Sequence, residues 1–248
     1  MYNCVVNSGL MTWSASDTDR KEMTGNTVGN WNAYFWEKYP NDCYAFGLWC
    51  ADEYHRSSSI GVTNVDIRLV EKFREFLLKE FPESRLRLRM YHPHHVEPDQ
   101  NLFRHLCADI VSYPMRKSAQ IALQLYVNSR PLLRLIQSSR KNVEHMKDRE
   151  QIAAYFAGRF DGDGSVNADG KTYCRIAYST RGEAELDKKL LKKLGYENSS
   201  VYHYERAQEY CLYVSKNVAR SFIDTISRYS ITTPEIRIPI PVETSLSL

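Results

Sequence analysis

Two patterns of apolar and polar positions alternate along the chain. Leu69, Val70, Phe73, Phe76 and Leu77 recur every three or four residues, which predicts an amphipathic helix over Ile67–Glu80 with Asp66 as its cap. Arg85–Met90 instead alternates polar with apolar, and Gln120–Asn128 does the same with Ile121, Leu123, Leu125 and Val127 on one side. Both read as half-buried strands. Ser59–Asn64 is a further strand, and Pro131 suits the first turn of a helix running to about Met146. The order then returns. A polar hairpin, Ser165–Thr180, turns near Asn167-Ala168-Asp169-Gly170. After it come a helix over Gly182–Leu194 stopped at Gly195, strands at Ser200–Arg206 and Glu209–Ser215, and a helix from Asn217 to about Tyr229.

Each series is preceded by a stretch that is apolar on all sides. Ile152-Ala153-Ala154-Tyr155-Phe156-Ala157-Gly158-Arg159-Phe160-Asp161-Gly162-Asp163-Gly164-Ser165 reads as a helix whose Ala154, Gly158 and Gly162 share one bare face. A second helix can approach such a face almost backbone to backbone. Asp163 then projects from the helix end, before a Gly able to take the left-handed conformation that stops a helix. Cys43-Tyr44-Ala45-Phe46-Gly47-Leu48-Trp49-Cys50-Ala51-Asp52-Glu53 is a looser copy, with Gly47 and Ala51 as the small pair and Asp52 as the terminal acid. Two such helices packed together bring two carboxylates to one place, an arrangement suited to divalent-metal chemistry on phosphate.

These two stretches resemble the LAGLIDADG motif of homing endonucleases. The order around them supports the resemblance over roughly residues 41–230. Leu125-Tyr126-Val127 matches Leu212-Tyr213-Val214, and Val62-Thr63-Asn64 is paired with Tyr178-Ser179-Thr180. Asp52 to Val127 spans 75 positions and Asp163 to Val214 spans 51; the second hairpin is 5 longer on this pairing, so the first half carries 29 extra residues. The irregular stretch Tyr91–Ser118, 28 long, is where they fall. The expected fold is α/β (α+β): a pseudo-twofold, duplicated αββαββα LAGLIDADG homing endonuclease fold with two DNA-binding antiparallel sheets. Its parts are an N-terminal extension (1–40), whose aromatics Trp31, Tyr34, Phe35 and Trp36 dock on the body, a first half (41–147, with the insertion 91–118), a second half (148–233) and a tail (234–248).

The resemblance implies a function and a set of residues. Asp52 and Asp163 are the expected ligands of Mg²⁺, each acid serving one strand of the duplex. A Ca²⁺ loop of EF-hand type starting at Asp161 is excluded, because its sixth position is Val166 and its twelfth Thr172. Glu53 stands where the family usually has Gly; either it joins the metal site or the first half-site is weakened, giving a nickase-like enzyme. By position, Lys216 matches a basic residue near the scissile phosphates, with Ser129 and Arg130 at the equivalent place in the first half. Asn64 and Thr180 match a polar residue that helps place water, and Arg68 a basic residue near it. Taken singly, each is equally an ordinary solvated side chain. Asp161, opposite Cys50 in the first motif, reads as a cap or salt-bridge partner. The expectation is a site-specific double-strand DNA endonuclease cutting a long, non-palindromic target and leaving short 3′ overhangs. Its rival is a cleavage-deficient relative acting as an RNA maturase or DNA-binding regulator.

The chain's 33 basic and 30 acidic residues give a formal +3, which by itself favours no partner. Placement says more. Arg85, Arg87 and Arg89 form one stripe, and Arg56, Tyr126, Tyr173, Arg175, Tyr202, Tyr204, Arg206 and Tyr213 supply others on the predicted open face. Two-stranded ribbons fit the major groove, where Arg reads guanine. His92, His94, His95, Glu97, His105 and Cys107 crowd the insertion at spacings that fit no standard zinc site, so a polar loop is preferred, with Phe103, Leu106, Ile110 and Val111 on a short docking helix. The six Cys form no CxxC pair, and Cys43, Cys50, Cys174 and Cys211 fall in helices or strands, which favours reduced thiols. With neither a signal peptide nor an apolar run near 18 residues, the expectation is a soluble intracellular monomer, in prokaryotic cytoplasm or an organelle, with no membrane partner.

Overall fold

The structure, a computed structural model, describes residues 33–56, 58–116, 120–167 and 173–232. The turn at Ala168–Gly170, the aromatic Trp31 and the tail from 234 lie outside the described residues. A short helix α1 (Phe35–Lys38) precedes α2 (Cys43–Ala51), the first motif helix. Then follow β1 (Glu53–Arg56), β2 (Ser59–Asn64), α3 (Ile67–Glu80), β3 (Arg87–Pro93), β4 (Ile110–Met115), β5 (Ala122–Asn128) and α4 (Arg130–Lys141). The second series is α5 (Arg149–Asp163), β6 (Gly164–Asn167), β7 (Tyr173–Tyr178), α6 (Arg181–Lys193), β8 (Ser199–Tyr204), β9 (Glu209–Val214) and α7 (Lys216–Ile226). The second series follows the predicted αββαββα order, and the first follows it with one strand, β4, added before β5.

Local chemistry explains the boundaries. Asp66 accepts from the Arg68 amide and caps α3, Ser129 accepts from Leu132 and caps α4, and Asp148 accepts from Gln151 and caps α5. Pro131 sits in the first turn of α4, where its missing N–H costs no hydrogen bond. Gly195, just beyond α6, has φ +95°, a conformation that favours glycine.

The two motif helices pack backbone to backbone. A Cβ on Gly47 would collide with the carbonyl of Tyr155, and one on Gly158 with the carbonyl of Tyr44. Only glycine permits that approach. Around this contact the core is aromatic: Phe35 stacks on Phe46 at 5.1 Å, and Phe46 meets Tyr155 at 5.3 Å. Phe35 and Trp36 of the N-terminal segment are buried, and the Phe35 amide donates to Ser139 Oγ at 2.7 Å. The described part of that segment therefore docks as expected.

Four expectations need correction. The insertion is not irregular throughout: it contributes β4, which pairs with β3 in parallel. The first sheet is consequently five-stranded and mixed, in order β1-β2-β5-β3-β4, while the second (β6-β7-β9-β8) is wholly antiparallel. Ile110 and Val111 lie on β4 rather than on a helix; among the described residues of the insertion only Gln100–Phe103 forms a helical turn, of 3₁₀ type. Gly164 is extended (φ −84°, ψ 155°), so α5 runs straight into β6 with no left-handed residue. Glycine is required there for space, because a Cβ would strike the carbonyl and ring of Phe160.

The two halves also align differently from the spacing-based pairing. Glu53 pairs with Val62 as Gly164 pairs with Ile176, and Val62 faces Leu125 as Ile176 faces Leu212. Val62 therefore corresponds to Ile176, Asn64 to Tyr178 and Asp66 to Thr180. The sequence pairing is two residues out of step, because the two hairpins differ in length by 3 rather than 5.

Candidate active site and nucleic-acid interface

Asp52 closes α2 and Asp163 closes α5. The glycine contact that seats the helices also sets the separation of their ends. A Cβ on Gly162 would lie 2.8 Å from Asp52 Oδ2, so the Asp52 carboxylate rests against the residue preceding Asp163. Asn64 Nδ2 donates to Asp52 Oδ2 at 2.6 Å, and Asn64 Oδ1 accepts from the Asp66 amide at 2.7 Å, which fixes the amide's orientation. Burial pushes the Asp52 carboxyl up to about 6, against the opposing pull of the Asn64 hydrogen bond and Arg159. Burial likewise pushes Asp163 up to about 7; Arg159 opposes the rise, and the negative charges of Asp52 and Glu209 add to it. Two half-buried acids, both raised by burial and one raised further by the charge of the other, form a donor set a divalent cation would relieve.

Arg159 was present in the motif stretch but has no role in the sequence reading. It is 2% exposed, and its Nη1 lies 3.7 Å from Asp163 Oδ2. Its Nε lies 3.5 Å from Asp187 Oδ2, and its guanidinium stands over the Tyr178 ring at 4.4 Å. Tyr155 and Tyr178 hydroxyls donate to Asp187 at 2.9 and 2.8 Å. The available signal was an Arg one helical turn before the terminal acid, inside an otherwise apolar run.

The remaining expected residues scatter. Glu53 is not beside the acid pair: strand alternation sends it to the helix side of the sheet, where its carboxylate is taken by Arg140. Arg140 also donates to Glu183 at 2.6 Å, tying α4 to α6. Among the described residues no group of three His, Cys, Asp or Glu is arranged to hold a metal ion. Thr180, paired by sequence with Asn64, instead caps α6 by accepting from the Glu183 amide. Arg68 is bound to Asp66 at 2.7 Å. Lys216 is exposed at the first residue of α7, and Ser129 is occupied as a cap. Asp161 accepts from Tyr44, Ser230, Ile231 and Thr232, pinning the segment after α7 to the motif helix. In the insertion His92 is buried beside the Pro93 carbonyl, while His105 pairs with Glu71.

Pairing register sorts the expected nucleic-acid contacts. On the first sheet, Tyr54, Arg56, Arg87, Arg89, Tyr91, Tyr113, Gln124 and Tyr126 share the face opposite the helices. Arg89 lies over the Tyr126 ring at 4.8 Å and donates to Tyr54 OH at 3.0 Å. Arg85 leaves this stripe: it belongs to a 3₁₀ turn, packs over Phe81 and donates to the Asn128 carbonyl at 2.6 Å. On the second sheet, Tyr173, Arg175, Tyr202, Tyr204 and Tyr213 share one face, and Arg206 lies in the exposed β8–β9 turn. Tyr202, Tyr204 and Tyr213 with Asn198, Ser200 and Ser215 line a cleft of 330 Å³. Tyr54, Tyr91 and Tyr113 were missed: Tyr91 continues the Arg87–Arg89 alternation but lies one residue beyond the predicted strand end at Met90, whereas Tyr54 and Tyr113 lie in strands that alternation does not mark.

Residues 150–227 match the model of the LAGLIDADG-like domain. Among solved structures, the homing endonuclease I-WcaI bound to its DNA recognition sequence is 12% identical with a TM-score of 0.52, over 90% of this chain and 99% of that one. I-DmoI in complex with DNA and Mn is 16% identical with a TM-score of 0.50, over 75% and 94%. A variant of I-DmoI with its target DNA in the presence of Mg is 17% identical with a TM-score of 0.51, over 75% and 94%. At such identities the likeness is one of fold. No curated protein matches the chain. Among the described residues no helix is long and apolar enough to cross a membrane.

Proposed function

We propose that this chain, whose second half is a LAGLIDADG-like domain and whose fold is that of the LAGLIDADG homing endonucleases, is a metal-dependent, site-specific DNA endonuclease. The observation that carries the reading is the meeting of Asp52 and Asp163 at the ends of two glycine-seated helices, each of which leads directly into a sheet with an open face of Arg and Tyr. Asp52 and Asp163 are the residues that would hold a divalent cation, Mg²⁺ being the expected one. When bound, such a cation neutralises charge building on the scissile phosphate and makes an attacking water more acidic. Asn64 holds the Asp52 carboxylate in one orientation, and Lys216 is free to reach toward a phosphate. Arg56, Arg87, Arg89 and Arg175 meet the duplex, with tyrosines between them packing on sugar and base edges. Because the two faces differ, the target is non-palindromic, and cutting across the minor groove leaves short 3′ overhangs.

The test is incubation with duplex DNA joining the two sequences that flank the gene. Cleavage with Mg²⁺ or Mn²⁺ is expected, with loss of on the order of 10³-fold in Asp163→Asn. Specific binding with no cleavage in either metal would overturn the endonuclease and favour a maturase or regulator built on the same fold.

A further inference from the structure

The second motif helix buries a charge that the first does not. Counting back from the terminal acids, Arg159 corresponds to Leu48; counting from the helix caps, Asp187 corresponds to Phe73. Leu48 and Phe73 are fully buried apolar residues, so nothing in the shared plan demands an ion pair here. Arg159 nonetheless reaches three elements at once. It lies 3.7 Å from Asp163 on its own helix and 3.5 Å from Asp187 on α6, and its Nη1 donates to the Cys50 carbonyl in the last turn of α2. Last-turn carbonyls have no partner within their helix, and α2 is not closed by a left-handed glycine. Arg159 therefore caps the first motif helix from the second. Cys50 is two residues before Asp52, so the same guanidinium fixes the backbone that presents one acid and faces the other acid directly. Asp187, held by two tyrosine hydroxyls, anchors it from behind.

We propose that Arg159 is a positioning residue for both half-sites, setting the geometry in which Asp52 and Asp163 take up a divalent cation. The inference rests on the reading of those two acids as the metal-binding pair. A lysine gathers its donors on one nitrogen, whereas Arg159 directs Nη1 and Nε of a planar fork to different elements, so a lysine does not reproduce the arrangement. A buried carboxylate left without its cation is strongly destabilising, so Arg159 is removed together with the charge of Asp187.

The measurements are Mn²⁺ binding to the protein alone, followed by electron paramagnetic resonance, thermal melting, and cleavage read separately on the two strands. Wild type is expected to bind Mn²⁺, and Asp52→Asn/Asp163→Asn to abolish that binding. Arg159→Met/Asp187→Asn should melt cooperatively yet bind Mn²⁺ about tenfold more weakly. It should cut both strands about 100-fold more slowly, with DNA affinity in Ca²⁺ unchanged. Arg159→Lys should fall between the two. Wild-type Mn²⁺ affinity in the folded double variant overturns the proposal. Should that variant fail to melt cooperatively, wild-type affinity in Arg159→Lys overturns it equally. Slowing confined to one strand rejects a shared role. Wild type without Mn²⁺ binding at the two acids overturns the endonuclease reading and the inference with it, whereas Mn²⁺ binding indifferent to Arg159 overturns the inference alone.

Discussion

At equivalent positions the first half buries Leu48 and Phe73, and the second buries Arg159 and Asp187. The contrast extends to the terminal acids. Asp52 is held by a hydrogen bond from Asn64, but the residue corresponding to Asn64 is Tyr178, whose hydroxyl goes to Asp187 instead. Asp163 faces Arg159 at 3.7 Å and, among the described residues, receives no hydrogen bond. Tyr44 and Tyr155 occupy matching positions as well, yet one donates to Asp161 and the other to Asp187. The two halves thus agree at the contact between the motif helices, where Gly47 matches Gly158, and differ in how each carboxylate is supported. Glycine contacts are all-or-none, because a single Cβ destroys them. Polar support can be supplied from several directions, so it is free to differ between halves.

The agreement is the part most easily broken. Gly158→Ala places a Cβ on the Tyr44 carbonyl and is expected to cost at least about 3 kcal/mol by urea unfolding. Gly182→Ala, with nothing within 4 Å of the added atom, should instead stabilise by about 0.5 kcal/mol. Equal effects of the two substitutions would contradict the helix contact.

The acids sharpen the comparison through pH. Both have folded-state pKa values above the ordinary 3.8, about 6 for Asp52 and about 7 for Asp163. Well below 3.8 the folded and unfolded chains are both protonated at these groups. Between 3.8 and about 7 the folded protein keeps protons that the unfolded chain releases, so stability of the metal-free protein falls as pH rises through that window. A divalent cation needs the deprotonated acids and opposes this loss. Added Mg²⁺ should therefore raise the melting temperature more at about pH 7.5 than at about pH 5. A metal effect that is flat with pH, or larger in acid, would place the cation elsewhere.

The smallest effect is expected at Glu53, where the halves differ most plainly in sequence. Glu53→Gln removes one charge from the Arg140 pair at the surface, and should change stability by about 0.5 kcal/mol or less. Mn²⁺ affinity should not change. A marked loss of Mn²⁺ binding would return Glu53 to the metal site.

Much of this plan is written in local pattern. Asp66, Ser129 and Pro131 mark helix starts because capping is decided within three residues, and Arg87-Leu88-Arg89-Met90 declares its faces by alternation. Strand β4 escaped because Ile110-Val111-Ser112-Tyr113-Pro114-Met115 does not alternate and includes a proline, which suits an edge strand only. The two-residue slip in the repeat arose because spacing cannot reveal where a hairpin takes up extra length; only strand pairing does. The Asp52–Asp163 pair was legible through the bare helix faces. Arg159 was not, since its partners Cys50 and Asp187 lie 109 and 28 positions away, and their proximity is a product of the packed structure.

The glycine-seated helix pair also governs how the chain can be made. Gly47 and Gly158 are 111 residues apart, and α2 is buried on nearly every side only once α5 exists. At ribosomal rates that interval lasts about 5–20 s. Throughout it the emerging first half presents an uncovered apolar helix whose natural complement has not been synthesised. The interface that joins the two halves is, during synthesis, a surface on which two nascent copies could join each other, and the shortness of α2, nine residues, limits how firmly they would hold.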